Sequence, residues 1–310
     1  MTITNIDLNK ENTIISIKTI KLHDSKRNTD AILKVTAPMD WNNAPVILFA
    51  HGFGSSLDGY GPLADFWARH GFVVIRPTFL DSRTVDLDPN DPCQPYIWKH
   101  RVQDMKLILD QLDTIEDYLP GDHYQLDRSK IATAGHSFGG QTAGNLLGLQ
   151  VLDLNTQKRE DLSDSRVKGG ILIATAGEGG DNLTEFAKEN FSFLNPSFSN
   201  MSKPALVIAG DQDHNPLTVQ GPEWMMEPYH LSPGPKSLLT LYGAEHSLGG
   251  IAGYEVKETT DENPERVRLI QEVTWAYFRH LLDIEHDSWK QVQSSLANKD
   301  NAMGYIESKE

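Results

Sequence analysis

The sequence contains a single cysteine, Cys93, in 310 residues. An intrachain disulfide is therefore impossible, and so are the paired cysteines of zinc and redox motifs. Basic residues are also scarce: 28 Lys and Arg stand against 43 Asp and Glu, a net charge of −15. The densest basic stretch, 21–27, is broken by Asp24. No nucleic-acid partner is expected, because binding phosphates requires clustered cations. Nothing approaches the ~18 uninterrupted apolar residues of a membrane helix, so stable membrane insertion is not expected either. The opening residues, MTITNIDLNKENT, lack a basic segment followed by an apolar one and do not read as a secretory leader. The expected location is cytoplasmic, with export left open. No HExxH motif occurs, and the acidic run DLDPND (Asp86, Asp88, Asn90, Asp91) has neither the glycine nor the glutamate that a calcium loop needs at its sixth and twelfth positions. Neither a metal nor a cofactor is expected. Gly177-Glu178-Gly179-Gly180 has no GK[ST] and no dinucleotide spacing, so it is not a phosphate loop.

What is present is an ordinary globular balance, 39% hydrophobic and 23% charged, which is enough apolar surface for a large core. Thr13–Leu22 and Ala31–Ala37 alternate apolar and polar residues as half-wetted strands do. Pro45–Ala50 and Phe72–Ile75 are short continuous apolar runs, and between them Tyr60–His70 carries Leu63, Ala64, Phe66 and Trp67 at helical spacing before Gly71. Strand, helix, strand is the unit of a parallel sheet. The alternation continues with a helix over Trp98–Leu119, a strand at Lys130–Ala134, a helix over Gly139–Leu149, strands at Val167–Ala174, Ala205–Ala209 and Ser237–Tyr242, and a helix over Pro264–Leu282. The expected fold class is α/β, a doubly wound and mostly parallel sheet of about eight strands covered on both faces. We expect one domain over 1–282, with N-terminal strands in 1–44, a catalytic core in 45–282, and a polar extension, helix or frayed tail, over 283–310. Three long connections, Thr78–Ile97, Thr175–Met201 and Gln212–Pro235, all follow strand C-termini, where open α/β sheets place their ligand crevice.

Gly135-His136-Ser137-Phe138-Gly139 matches G-x-S-x-G, directly after one strand and at the start of a helix. A serine there sits on a very tight, strained turn, so the residues two before and two after must lack obstructing side chains. Its hydroxyl becomes a nucleophile only when a base takes the proton and a carboxylate orients that base. Both should follow in the order Ser, acid, His, at the ends of later strands. Strand 205–209 runs into Gly210-Asp211-Gln212-Asp213, and strand 237–242 into Gly243-Ala244-Glu245-His246. His246 is the expected base and Asp213 the preferred acid. Asp211, a potential turn-former, and Asp181, on the loop after the earlier strand, stay open as alternatives. His51-Gly52-Phe53-Gly54, after strand 45–50, lies where a second oxyanion donor belongs. The backbone N–H groups of Phe53 and Phe138 are the expected donors, with His51 holding its own loop.

HGFGSS, LDRSKIATAGHSFGGQTAG, AGDQD and GAEHSLGG together resemble the α/β-hydrolase superfamily over about Pro45–Leu282. Within it they resemble the branch of chlorophyllase-like, dienelactone-hydrolase-like and platelet-activating-factor-acetylhydrolase-like esterases. The resemblance implies a serine esterase. In the acetylhydrolase group the acid follows the earlier strand, which keeps Asp181 open. Dienelactone hydrolases use a cysteine where Ser137 stands, which disfavours that activity.

The expected function is hydrolysis of a small-molecule carboxylic ester through an acyl-enzyme. A phospholipase A2 of the acetylhydrolase kind and a chlorophyllase-like esterase are the enzymatic alternatives. A ligand receptor on the same scaffold is the non-enzymatic one. Phe79, Tyr96, Trp98, Phe191, Phe193, Trp224, Met225 and Met226 lie in or beside the long loops. Of these, Tyr96, Trp98, Trp224 and Met225 are the expected pocket residues. Natural substrate and oligomeric state are not legible in the sequence.

Overall fold

The computed structural model describes residues 11–121, 124–153, 156–255 and 259–310; residues 1–10 of the opening segment considered above lie outside them. Nine strands form one sheet. They are β1 (Ile14–Asp24), β2 (Thr29–Pro38), β3 (Ala44–Ala50), β4 (Val73–Thr78), β5 (Leu126–His136), β6 (Val167–Ile173), β7 (Ala205–Gly210), β8 (Lys236–Leu241) and β9 (Gly304–Lys309). Their spatial order is β1-β2-β4-β3-β5-β6-β7-β8-β9. The six strands from β4 to β8 run parallel, and antiparallel strands close both edges. This is the α/β-hydrolase fold.

The apolar runs are buried because helices cover both faces. Alternate residues of β3 serve opposite cores. Val46, Leu48 and Ala50 join the core containing Val102, Met105 and Ile108 of α2 (Ile97–Asp110), with α3 (Leu112–Glu116) and α4 (Phe138–Leu147) on the same side. Ile47 and Phe49 face Leu63 and Trp67 of α1 (Gly61–Arg69) and, from the last long helix, Ile270, Val273 and Phe278. Two short helices, α5 (Glu185–Asn190) and α6 (Glu227–His230), sit within the long connections. The last long helix, α7 (Pro264–Leu281), begins where the Asn263 side chain accepts from the Arg266 amide at 3.0 Å and Pro264 pre-sets the first turn. Among the described residues, no helix is long and apolar enough to cross a membrane.

Two expectations need correction. The helix expected over 98–119 is two helices, because Gln111 (φ −121°, ψ 30°) leaves the helical region and ends α2. The segment 283–310 is neither frayed nor separate from the sheet. It forms α8 (Asp287–Leu296), whose Trp289, Val292 and Leu296 are buried, and then β9, paired antiparallel with β8. The boundary drawn at 282 therefore cuts off a strand of the central sheet. GYIESK is short and polar because only one edge and one face of β9 are covered: Ile306 points into the core while Glu307 and Lys309 do not.

Candidate active site

The C-terminal ends of β3, β5, β6, β7 and β8 lie along one edge of the sheet, and every candidate catalytic residue lies on the loop that follows one of them. After β5 the chain turns sharply into α4, and Ser137 at the turn has φ 56° and ψ −123°. A non-glycine residue in this region is strained and persists only where its surroundings enforce it. The Ser137 amide donates to the Ile173 carbonyl of β6 at 2.8 Å, while the Ser137 carbonyl accepts from the Gly140 amide at 2.9 Å. The flanking glycines are obligatory for packing. A Cβ on Gly135 would overlap the Gly139 carbonyl, and one on Gly139 would overlap the Ala50 carbonyl at the end of β3.

The Ser137 hydroxyl lies 2.9 Å from His246 Nε2, and His246 Nδ1 lies 2.8 Å from Asp213 Oδ2. A carboxylate only accepts, so the ring proton sits on Nδ1. That leaves the Nε2 lone pair facing the serine O–H. Asp213 is 2% exposed, whereas the His246 side chain is 35% exposed, so the imidazole meets solvent while its carboxylate partner is shielded. The other two candidate acids stand elsewhere. Asp211 accepts from the Gly243 amide at 2.7 Å, bracing the start of the His246 loop. Asp181 is solvent-exposed in a single 3-10 turn, 180–182.

Phe138 is the first residue of α4, where its amide has no preceding helical carbonyl to pair with and the helix dipole is positive. Phe53 lies on the loop after β3, and its ring packs 6.1 Å from that of Phe138, which sets the two residues side by side. A buried ion pair holds this loop from beneath. Arg101, from α2, binds Asp81 at 2.7 and 2.6 Å, with both side chains essentially unexposed. It also donates to the His51 carbonyl at 2.7 Å, and Asp81 accepts from the Gly54 amide at 3.1 Å. The guanidinium lies between the rings of Phe79 and Phe138, 4.4 and 4.2 Å from their centroids. His51 is tied to the Gly52 carbonyl at 2.7 Å and accepts from the Phe79 amide at 3.1 Å. Burial, reinforced by the Arg101 charge, pushes its pKa down to about 3, so it is neutral and its ring nitrogens are both occupied. The His246 loop has its own clamp: Asp261 accepts from the Glu245 and Gly249 amides at 2.9 and 3.0 Å and pairs with Arg266 at 2.8 Å.

Ser137 opens onto a cavity of about 90 Å³ lined by Phe53, Phe138, Gln141, Phe191, Phe193, Leu194, Leu217, Trp224 and Met225, among others. Trp224 and Met225 are on the wall. Tyr96 and Trp98 are not. They line a separate recess of about 20 Å³ that shares only Phe193 with the cavity. Trp98, in the first turn of α2, is buried in the core. The expected aromatic wall is instead supplied by Phe53, Phe138, Phe191 and Phe193. These form a run of ring contacts in which Phe53–Phe191, Phe191–Phe193 and Phe138–Phe193 are 5.7, 5.8 and 4.3 Å apart. No local pattern marks Arg101 and Asp81, which pair across 20 residues, or Asp261 and Arg266, which lie five apart but act on backbone groups of the 242–249 loop. Among the described residues, no group of three His, Cys, Asp or Glu could hold a metal ion.

Residues 7–209 match the family model described as Chlorophyllase. No curated protein matches the chain. The family match covers Ser137 and the loop of Phe53 but ends before Asp213 and His246. The placement of those two beside the serine therefore rests on the geometry alone.

Proposed function

The chain belongs to the chlorophyllase family, a group of α/β hydrolases acting on esters, and from that premise we propose that it cleaves carboxylic esters through an acyl-enzyme formed on Ser137. The observation that carries this reading is the unbroken line from the Ser137 hydroxyl through His246 to Asp213, at 2.9 and 2.8 Å, on a strained turn that opens onto an apolar cavity.

Ser137 Oγ attacks the ester carbonyl carbon while His246 Nε2 takes the hydroxyl proton. Asp213 keeps the other ring proton on Nδ1 and stabilises the imidazolium that forms. The amides of Phe53 and Phe138 receive the carbonyl oxygen as it becomes an oxyanion, an interaction typically worth ~10²–10³ in rate per donor. Collapse of the tetrahedral intermediate breaks the C–O bond to the alcohol, which leaves with the proton held on Nε2. Water, deprotonated by the same nitrogen, then attacks the acyl carbon and releases the acid and Ser137.

The cavity belongs on the acyl side. Both donor residues, Phe53 and Phe138, line it, whereas His246, which must protonate the departing alcohol, is not among its lining residues. At about 90 Å³ it holds roughly four carbon atoms, by proportion to the ~150 Å³ cavity that accepts benzene. p-Nitrophenyl acetate, propionate and butyrate are therefore the expected substrates among simple esters. kcat/KM should fall at least about tenfold between the butyrate and the octanoate. An octanoate hydrolysed faster than the butyrate would move the acyl group out of this cavity. A chlorophyllase-like reaction on a chlorin ester would have to keep the ring outside it, so chlorophyll in the same panel separates that reading from this one.

A further inference from the structure

The histidine that precedes the nucleophile takes no part in the proton transfers above, yet it touches both halves of the site. His136 is buried at the end of β5. Its Nε2 lies 2.8 Å from the His246 backbone carbonyl, and its Nδ1 lies 2.9 Å from the Tyr60 hydroxyl. Every hydrogen along this line can be placed. A carbonyl only accepts, so Nε2 carries the ring proton. Burial, with the neighbouring His246, pushes the His136 pKa down to about 3, so the ring is neutral and Nδ1 is bare. The Tyr60 O–H must then donate to Nδ1, which leaves the phenolic oxygen to accept the Gly52 N–H at 3.1 Å. Three bonds thus run in one direction from the amide of Gly52, next to the oxyanion donor Phe53, to the carbonyl of His246.

Four further observations tie the surrounding fold to this line. Tyr60 is held at φ 62° and ψ 26°, a left-handed conformation that costs a non-glycine residue energy and tends to accompany function. Its own amide donates to the Ala252 carbonyl at 3.0 Å, beyond His246, so the residue grips the segment carrying the base at a second point. A Cβ on Gly52 would come within 2.8 Å of the Tyr60 oxygen and 3.4 Å of His136 Nδ1, so a larger residue there would displace the hydroxyl. The His136 ring lies 5.6 Å from that of Tyr60 and 4.9 Å from that of His246.

We propose that Tyr60 and His136 are a pair of positioning residues that set the spacing between the loop carrying the base and the loop carrying the oxyanion donor. Neither touches the substrate. They hold His246 and Phe53 in register, so that the proton acceptor and the oxyanion site meet one tetrahedral intermediate together. A misplacement of ~1 Å in such a constellation can cost ~10² in rate. The proposal rests on the serine-hydrolase reading and assigns two residues that the Ser137–His246–Asp213 line and the cavity do not contain.

The test is a double-variant cycle on p-nitrophenyl acetate, with active sites counted by fluorophosphonate titration so that loss of folded protein is not read as loss of rate. Tyr60→Phe removes only the oxygen and keeps the ring against Phe49, 4.8 Å away. His136→Asn removes the link to the His246 carbonyl, and His136→Leu, which fills the buried space without any N–H, replaces it if the asparagine variant does not fold. Each single variant should lower kcat per titrated site about tenfold or more, with KM within about twofold. The double variant should be no slower than the slower single variant, within about twofold, because either cut opens the same line. An unchanged kcat in a folded single variant, a loss confined to KM, or losses that multiply in the double variant would overturn the proposal. A wild-type protein that neither labels nor turns over ester overturns the serine-hydrolase reading and the brace with it. A wild-type protein that does both, beside a Tyr60→Phe variant with full kcat, overturns the brace alone.

Discussion

Ser137→Ala is expected to lower turnover of p-nitrophenyl esters by at least about three orders of magnitude, with the protein still folded. The size follows from the chemistry assigned to the hydroxyl. Without it no acyl-enzyme can form, and only the cavity, the two amides and His246 acting on water remain, which together leave a small residual rate. Folding should survive for a separate reason. The turn at 137 is enforced by backbone bonds to Ile173 and Gly140 and by the glycines on either side, none of which involves the serine side chain. Alanine meets the same strain at φ 56° and fills no more space. Circular dichroism and a thermal melt within a few degrees of wild type should accompany the loss of rate, and retained turnover would remove Ser137 from its role.

Asp213→Asn should cost about 10³–10⁴ in kcat, while Asp181→Asn and Asp211→Asn should stay within about threefold of wild type. Asparagine at 213 keeps the shape but can offer N–H where His246 Nδ1–H requires an acceptor. The ring is then driven toward the tautomer with its proton on Nε2, facing the serine it should deprotonate. The burial of Asp213 admits little solvent to relieve the mismatch. Asp211 uses one oxygen to accept from the Gly243 amide, and asparagine retains that acceptor. Asp181 is exposed on the other loop. The three variants, assayed under saturating substrate, discriminate among the acids directly. A collapse of rate in Asp181→Asn with a normal Asp213→Asn would move the acid to the earlier loop.

The central strands and the helices between them were legible because each carries its own period: continuous apolar residues for β3 and helical spacing at Leu63, Ala64 and Trp67. The loops that matter were legible for a related reason. The turn at Ser137 announces itself through glycines that sterics demand, and His246 through its position after the last of the apolar parallel strands. Strand β9 was missed because a polar edge strand has neither a long apolar run nor two buried faces to betray it. Tyr96 and Trp98 were misplaced because proximity to a loop in sequence says nothing of which side of a helix faces the crevice. The supports of the site lay beyond local pattern altogether. Arg101 and Asp81 are 20 residues apart, Asp261 reaches back to Glu245 and Gly249, and Tyr60 reads in sequence only as the start of a helix. Each is fixed by three-dimensional hydrogen-bond geometry, for which a single sequence carries no signal.

Reaction of the intact protein with a fluorophosphonate, followed by mass mapping of the adduct, tests the central claim most directly. The account predicts one adduct per chain, on Ser137, absent from Ser137→Ala and formed far more slowly in His246→Ala, since the phosphonate must be attacked by a serine that His246 has deprotonated. A folded protein that takes up no label, or that carries it on another residue while Ser137 stays unmodified, would contradict it.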